Sequence, residues 1–425
     1  MNFNMTLTCG TCEQDIDCRI GMSNREIQPL SFACPHCTAL INITIGNGFQ
    51  FSGAKKRDGK LYGLFDGRNP FIDLHLDFPV WFNDYVPGNT PYMIAMEKIK
   101  GDDNNSEQSM ALMAFHAQRL NQLNLMHQKS QHIRTILKLY SGHNKQLFKT
   151  HVEQFLNVDL GPSLEPQDIN AALYRFVSNV FKPFIHHDIV KDLVGDFSDL
   201  MLDLAAQRGQ AFNAFIDHLK ETNFLHKIQQ DCLDLYSEFY DAELPLRPAL
   251  FLDFVDGYER NKVAARVSAS NFKTYKDIYK DTAEVFGRQL ILIAAINNII
   301  HRDGHDNFAM PKDGGALSSL NKFADKTLSD KFKYLDDCWY EADRGIVDTN
   351  VRNAIAHFTA EYDEVRQIIT YFPEKEGIRQ EKGETIFFLD FMRMLLLLFR
   401  EVHYLHHIIK GLLYYEYLIR SKKRD

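Results

Sequence analysis

The chain has 425 residues, which is too many for one ordinary domain and enough for two or three. Its 45% hydrophobic and 24% charged residues are typical of a globular protein and exclude an extensively disordered chain. The net charge of −8 argues against a protein that coats nucleic acid through bulk electrostatics, although one local patch could still contact RNA.

The sequence predicts a soluble protein. The first ten residues, MNFNMTLTCG, lack the basic start and apolar stretch of a secretory signal. The most apolar run, from Phe391 to Phe399, contains Arg393 and is followed directly by Arg400. It therefore falls short of the roughly 20 apolar residues that a membrane span needs. We expect a cytoplasmic protein that does not enter a membrane.

The first predicted region, residues 1–100, is a small zinc-ribbon and β region. Its sequence is rich in Gly, Pro, Phe and Thr, and short runs such as LINITIG and FQFSG show the texture of strands. Five of the seven cysteines fall within the first 40 residues, and in a reducing compartment such clustering indicates metal rather than disulfides.

Two C-x2-C pairs, Cys9 with Cys12 and Cys34 with Cys37, are the candidate metal ligands. Two such pairs can close a tetrahedral thiolate cage, which is the geometry of structural zinc. Because four sulfurs leave no open position for water or substrate, we expect the Zn²⁺ to be structural. Cys18 and His36 remain alternative ligands at this stage.

A basic turn, Lys55-Lys56-Arg57, follows the predicted zinc ribbon. Its three cations could contact phosphates, which would add a nucleic-acid surface to the ribbon. The alternative is a turn exposed to water, and the sequence favours it.

A polar linker, KGDDNNSEQS, separates the first region from a predicted helical middle domain over residues 110–260. Segments such as INAALYRFVSNVF place apolar residues at three- and four-residue spacing, as in amphipathic helices. A connecting or recognition domain is the simplest interpretation of this region.

The third predicted region, residues 265–425, has the pattern of an up-and-down helical bundle. A long helix is expected to end at Arg302, a second is expected from about Ala316 to Ala342, and a short third one follows Thr349. A break that contains Pro373 suggests a small hairpin or loop. A long final helix is expected from roughly Phe388 to Arg420. The predicted fold class is thus mainly α.

The short third helix carries the candidate catalytic residues Arg352, Asn353 and His357. Asp348 or Thr349 can cap this helix, which would put Arg352 in the first turn, where free amides and the helix dipole favour an anion. Asn353 and His357 share one face, whereas Arg352 and His357 are about 140° apart. The two converge on one phosphate most easily when a second copy of the helix packs alongside, or when Arg352 reaches around the helix end. The geometry points to the symmetric dimer, with the second arrangement as the alternative.

These residue types suit the cleavage of RNA without a metal. Histidine exchanges protons near neutral pH, and arginine donates two parallel hydrogen bonds to phosphate oxygens. Asparagine can orient the imidazole or the ribose. Attack of a ribose 2′-hydroxyl on the neighbouring phosphorus needs only these groups and leaves a 2′,3′-cyclic phosphate.

The run Arg352-Asn353-Ala-Ile-Ala-His357 resembles the R-x4-6-H motif of the HEPN superfamily, whose members carry a polar residue directly after the arginine. Its place, between two longer helices and a final apolar one, also resembles that family, and the resemblance covers only about the last 160 residues. It implies a dimeric RNA endonuclease in which two subunits share one cleft. It also implies a toxin or an abortive-infection effector of antiviral defence, held in check by a trigger-sensing or inhibitory partner.

Three further polar groups are weaker candidates. Asn298, His301 and Arg302 end the long helix and could face the Arg352 cleft. His403 and His407, with His406 beside them, and the pair His186-His187 could bind metal, but packing within helices is favoured for both groups. The alternative function for the whole chain is a non-catalytic adaptor, in which the zinc ribbon binds nucleic acid or protein and the bundle dimerises.

Overall fold

The computed structural model describes residues 1–57, 63–99, 106–186, 193–255, 264–269, 271–312, 315–341, 349–356, 360–372 and 383–421. The chain forms two compact units, and each combines three separate stretches of sequence. Unit 1 contains residues 1–128, 241–277 and 353–396, and unit 2 contains residues 129–240, 278–352 and 397–425. The boundaries of the three regions in the sequence stay a prediction, because units defined by contacts need not be continuous in sequence.

The N-terminal part of unit 1 consists of two antiparallel hairpins and the strands that extend them. One sheet has the order β6-β1-β2-β7 and the other the order β3-β4-β5. Alternate side chains of β1, namely Met5, Leu7 and Cys9, are buried, which is the period of a strand with one face on a core. The strands are β1 (Asn2–Cys9), β2 (Asp15–Gly21), β3 (Gln28–Ala33), β4 (Leu40–Ile45), β5 (Phe49–Ser52), β6 (Ala54–Lys56) and β7 (Phe71–Leu74).

Two smaller sheets complete the β structure of unit 1. β8 (Val80–Trp81) pairs with β9 (Ala265–Arg266), and β10 (Ala360–Asp363), β11 (Ile368–Tyr371) and β12 (Glu384–Phe387) form an antiparallel sheet. The side chain of Gln367 bridges these sheets, since it both donates to the carbonyl of Val267 and accepts from its amide, at 2.9 and 2.8 Å. Pro373 lies outside the described residues, and the strands on either side of it, β11 and β12, pair antiparallel.

Unit 1 also contains the helices α1 (Pro91–Ile99), α2 (Ser106–Gln128) and α9 (Glu243–Phe251). Buried ion pairs join α9 to the β region. Arg247 of α9 is fully buried and donates to Asp77 at 2.8 Å and to Glu243 at 2.5 Å. Arg25 pairs with the other oxygen of Glu243 at 2.6 Å. Removing Arg247 would take the arginine away from the buried carboxylate of Asp77, which costs about 3–5 kcal/mol in comparable sites.

The described residues of unit 2 form helices and loops and contain no strand. It contains most of α10 (Phe272–Arg302) and the C-terminal part of α14 (Phe388–Tyr414). Phe181, Phe239 and Phe399 belong to its aromatic core. The remaining helices are α3 (Ser130–Ser141), α4 (Lys145–Leu156), α5 (Pro166–Phe181), α6 (Leu193–Gln207), α7 (Gly209–Glu221), α8 (Phe224–Phe239), α11 (Leu320–Ala324), α12 (Leu328–Lys331) and α13 (Thr349–Ala356).

The two long helices predicted from apolar periodicity are confirmed. α10 spans Phe272–Arg302, and α14 spans Phe388–Tyr414 and continues as a π-helical turn to Arg420. Among the described residues, α10 is the one helix long and apolar enough to cross a membrane, yet 83% of its apolar window is buried inside the protein. That burial is typical of a core helix.

The predicted helix from Ala316 to Ala342 is wrong. The described residues of this segment instead form α11, α12 and a 3-10 turn at Phe332–Tyr334. The side chain of Ser319 accepts from the amide of Lys322, and that of Thr327 accepts from the amide of Asp330. Each of these caps begins a new short helix, so the local sequence interrupts what the spacing of apolar residues joined.

Candidate metal centre and the Arg352 motif

The four predicted cysteine ligands converge at the ends of two hairpins. The turn from Cys9 to Cys12 joins β1 to β2, and the turn from Cys34 to Cys37 joins β3 to β4. Their sulfurs all lie within 4.8 Å of one another. Among the described residues, this is the one group of three or more His, Cys, Asp or Glu side chains placed to hold a metal ion.

The two turns have the same backbone geometry. In each, the amide of the first cysteine donates to the carbonyl five residues later: Cys9 to Gln14 at 3.0 Å and Cys34 to Ala39 at 2.8 Å. The residue four positions after the first cysteine is left-handed in both, with φ of 59° at Glu13 and 64° at Thr38. This repeated turn points both cysteines of each pair to the same side.

The spacing of the sulfurs fits a tetrahedral ion. Cys9 Sγ lies 3.8 Å from Cys37 Sγ, and Cys12 Sγ lies 3.8 Å from Cys34 Sγ. Four sulfurs at ~2.3 Å from a central zinc would be about 3.8 Å apart in a regular tetrahedron. The residues present therefore fit a structural zinc site.

The electrostatics around Cys9 favour its thiolate. Burial raises the pKa of this thiol. Hydrogen bonds, including those from the backbone at Cys12 and Thr11, together outweigh burial and lower the pKa to about 7. At Cys34 burial prevails and raises the pKa to about 12. A bound cation would favour the thiolate form of all four cysteines.

The two alternative ligands lie outside this group. Cys18 is fully buried in the middle of β2, where burial raises its pKa well above the ordinary value. His36 is exposed between Cys34 and Cys37. The four cysteines of the C-x2-C pairs are thus the ones that the fold brings together.

The first two residues of the predicted basic turn lie in an edge strand. Lys55 and Lys56 belong to β6, which pairs with the end of β1, and both side chains are exposed. Arg57 pairs with Asp15 at 2.5 Å. All three cations are therefore exposed at this edge, and Arg57 is also paired with a carboxylate.

Arg352 lies in the first turn of α13, as the sequence predicted, and its guanidinium contacts the carboxylate of Glu284 on α10. The side chain of Arg352 is 28% exposed and that of Glu284 is 54% exposed. Asn353 follows Arg352 in the same helix and is half-buried. His357 lies outside the described residues, so the contact between the histidine and the arginine stays a prediction.

The polar side chains at the C-terminal end of α10 form hydrogen bonds with nearby residues. Arg302 donates to both carboxylate oxygens of Asp336, at 2.8 and 3.1 Å, and to the side chain of Asn298 at 2.7 Å. The ring of His301 contacts the carbonyl of Asp337 at 3.1 Å. Their expected role beside Arg352 stays a prediction.

The histidines of the final helix are part of the core of unit 2. His403 and His406 both contact the hydroxyl of Tyr236 through Nδ1, at 2.7 and 3.1 Å. Burial lowers the pKa of both, so they are neutral at physiological pH. Their burial in the core agrees with the packing role that the sequence favoured over metal binding. Of the pair His186-His187, the second residue lies outside the described residues.

Comparison with protein-family models finds no match, and comparisons with curated proteins and with solved structures find none either.

The sequence analysis missed two features that only the fold brings together. One is Glu284, which lies 68 residues before Arg352. The other is a cavity lined by Trp339, Tyr340 and residues of α14. Neither has a local motif that would mark it.

Proposed function

We propose that the chain is a metal-independent RNA endonuclease of the HEPN type. Arg352 would clamp the scissile phosphate, His357 would act as general acid or base, and Asn353 would orient one of these groups. The observation that carries the proposal is the place of Arg352 in the first turn of α13, partly open to solvent. An anion at this position would meet both the guanidinium and the amides of the helix start.

The reaction follows from these groups. The ribose 2′-hydroxyl loses its proton to an imidazole and attacks the neighbouring phosphorus, and the bond from phosphorus to the 5′-oxygen breaks. A protonated imidazole supplies the proton that the leaving oxygen needs, and Arg352 stabilises the charge on the phosphoryl oxygens. The products carry a 2′,3′-cyclic phosphate and a 5′-hydroxyl. In a dimer, two copies of the motif would provide both histidines.

Glu284 is compatible with this role. Its carboxylate contacts Arg352 at the surface, where such pairs contribute only ~0–1 kcal/mol. A phosphate that binds Arg352 bidentately would replace the carboxylate at little cost. Until then Glu284 would keep the guanidinium in place.

The other parts of the chain would support the nuclease. The four-cysteine centre would hold structural Zn²⁺ and keep the N-terminal hairpins together. The C-terminal helices would form the bundle through which two chains dimerise. The resemblance also supports a role as a toxin or abortive-infection effector in the cytoplasm, restrained by a partner until infection.

A non-catalytic adaptor is the second candidate. The complete set of four thiolates and the pairing of Arg352 with a carboxylate favour it, since both are also found in purely structural settings. In that case the exposed Lys55 and Lys56 at the edge of the ribbon would contact a nucleic acid or an acidic protein.

Growth of cells that overproduce the chain separates the two candidates. The nuclease predicts that the wild type arrests growth and that His357→Ala abolishes the arrest at equal protein level. Arg366→Ala, which removes an arginine whose side chain is 77% exposed, is the matched control and should arrest growth like the wild type. Equal growth of cells with the wild type and with His357→Ala would favour the adaptor.

A further inference from the structure

Unit 2 contains a cavity of about 320 Å³ that the Arg352 motif does not use. It is bordered by Trp339 and Tyr340 on one side and by Arg400, Glu401 and Tyr404 of α14 on another. Pockets for small molecules have volumes of ~300–1,000 Å³ and combine apolar walls with a few polar groups. The cavity thus has the size for one compact ligand.

Aromatic rings form much of the cavity lining. Tyr340 and Tyr404 lie nearly parallel, with ring centroids 6.1 Å apart and an angle of 20°. The ring centroids of Trp339 and Tyr340 are 6.0 Å apart, and those of Phe197 and Tyr404 are 4.8 Å apart. A ligand with a flat aromatic ring would bind such a lining most strongly, because its face can pack on the face of a tyrosine ring.

The polar groups of the cavity are held in defined positions. Arg400 is buried and donates through Nε to the carbonyl of Phe184 at 2.7 Å, which fixes its guanidinium. The hydroxyl of Tyr340 donates to the carboxylate of Glu401. The indole nitrogen of Trp339 is a buried donor that has no hydrogen-bond partner among the described residues. Donors and an acceptor therefore lie beside the aromatic wall.

We propose that this cavity binds a purine base of the guanine type. Guanine offers acceptors at O6 and N7, which an arginine N–H can satisfy, and donors at N1 and N2, which a carboxylate can accept. Its rings would pack against Tyr404, because Tyr340 and Tyr404 lie too close for a ring to enter between them. A cavity of about 320 Å³ holds one nucleoside and excludes a base pair. This site is independent of the nuclease reaction and would exist in the adaptor as well.

Tryptophan fluorescence gives a direct test, because the chain contains two tryptophans and only Trp339 lines the cavity. In the full-length Trp81→Phe variant, guanosine should quench the remaining emission in a saturable way. Calorimetry on the wild type should give the same affinity. Cytidine and phenylalanine, tested in parallel, should bind at least tenfold more weakly.

Variants of the cavity complete the test. Tyr404→Leu removes a stacking ring and Glu401→Gln removes the carboxylate charge, and each should weaken guanosine binding roughly tenfold. Tyr140→Phe, which changes a different cavity of unit 2, should leave binding unchanged. Thermal melts would confirm that each variant is folded. If one of these two cavity variants does not fold, the other still tests whether the cavity binds guanosine.

Binding of a single-stranded, 2′-deoxy-substituted oligonucleotide that contains guanine distinguishes two sources of the base. Tighter binding of the oligonucleotide than of guanosine would assign the cavity to a base of a nucleic acid, and the reverse would assign it to a free nucleoside. Both results support a base site. The proposal is overturned if guanosine does not bind the folded protein at millimolar concentration, if phenylalanine binds equally well, or if Tyr404→Leu and Glu401→Gln bind guanosine like the wild type.

Discussion

The guanidinium of Arg352 in α13 contacts the carboxylate of Glu284, which lies near the middle of α10. The glutamate is the more exposed of the two, with 54% of its side chain accessible against 28% for the arginine. The arginine is therefore supported by the protein, whereas its counter-ion faces water. Such a pair can be opened by an incoming anion without unfolding the helix.

Replacing Glu284 by Gln should strengthen RNA binding. The substitution keeps the shape of the side chain but removes a negative charge that competes with phosphate for Arg352. We expect a Kd for RNA about threefold to tenfold lower, with a change in stability below ~1 kcal/mol because the pair is exposed. Filter binding on an uncleavable RNA and urea unfolding would measure the two effects.

Asp281→Asn is the matched control for Glu284→Gln. It removes the same charge from the same helix, at a carboxylate that contacts Lys280 at 3.6 Å. The control should change RNA affinity little. Equal affinities for Glu284→Gln and the wild type would contradict a phosphate site at Arg352.

Cys34→Ser should abolish stable metal binding. With three thiolates left, the cage of Cys9, Cys12 and Cys37 is incomplete, and zinc bound to a structural site contributes directly to folding. The wild type purified with zinc should contain about one ion per chain, and the variant much less. Cys18→Ala changes a cysteine outside the cage and should keep the ion. Loss of zinc in Cys18→Ala with retention in Cys34→Ser would refute the assignment of ligands.

Gly53→Ala should destabilise the ribbon. Gly53 has φ +78°, and a Cβ there would lie 2.4 Å from the carbonyl oxygen of Leu40. Its own carbonyl accepts from the amide of Gly10 at 2.9 Å, so Gly53 contacts both hairpins of the metal centre. The left-handed conformation alone costs roughly 1–2 kcal/mol for a residue with Cβ, and the clash adds to it.

Thermal unfolding with zinc present would measure this effect. Gly48→Ala is the control, since a Cβ at Gly48 has open space around it. A melting temperature of Gly53→Ala equal to that of Gly48→Ala would show that the turn can relax, contrary to expectation.

Stability should fall as the pH is lowered from about 6.5 to 4. Burial lowers the pKa of His407 to about 4, with a smaller effect from Lys410, and burial also lowers the pKa of His116 to about 4. Below ~6.5 the unfolded chain binds protons that these buried rings exclude, so the free energy of unfolding decreases until the folded pKa is reached. Each group contributes up to ~3 kcal/mol to the loss.

His407→Phe should weaken this pH dependence while it keeps a ring at the same place. The difference in unfolding free energy between pH 7 and pH 4.5, measured by denaturant titration, should be about 2 kcal/mol smaller than in the wild type. An unchanged difference would mean that His407 does not exclude the proton.

The elements that the sequence predicted well are those with a strong local signal. The boundaries of α10 and α14 follow from long apolar periodicity, and the metal centre follows from two C-x2-C pairs whose turns are local structures. The segment from Ala316 failed because Ser319 and Thr327 begin new helices within an apparently continuous pattern. For the region of β10 to β12 the sequence predicted only a small hairpin or loop, because strands of four residues each give a weak pattern.

The rest depends on contacts between distant parts of the chain. Glu284 reaches Arg352 across 68 residues, and Trp339 meets Tyr404 around one cavity from a separate segment. No spacing rule links such residues, because helix packing and not local propensity brings them together. The two compact units, each made of three stretches, were hidden from the sequence for the same reason.

The most direct test of the nuclease is cleavage of total RNA and tRNA by the purified protein in EDTA, with its zinc content measured afterwards. The wild type should cut RNA and leave 2′,3′-cyclic phosphate ends, whereas Arg352→Ala and His357→Ala should be inactive. Arg352→Lys should retain little activity because an ammonium cannot bind phosphate through two parallel hydrogen bonds. Cleavage by His357→Ala at the wild-type rate, or no cleavage by folded, zinc-loaded wild type even with phage-infected extract added, would contradict the proposed function.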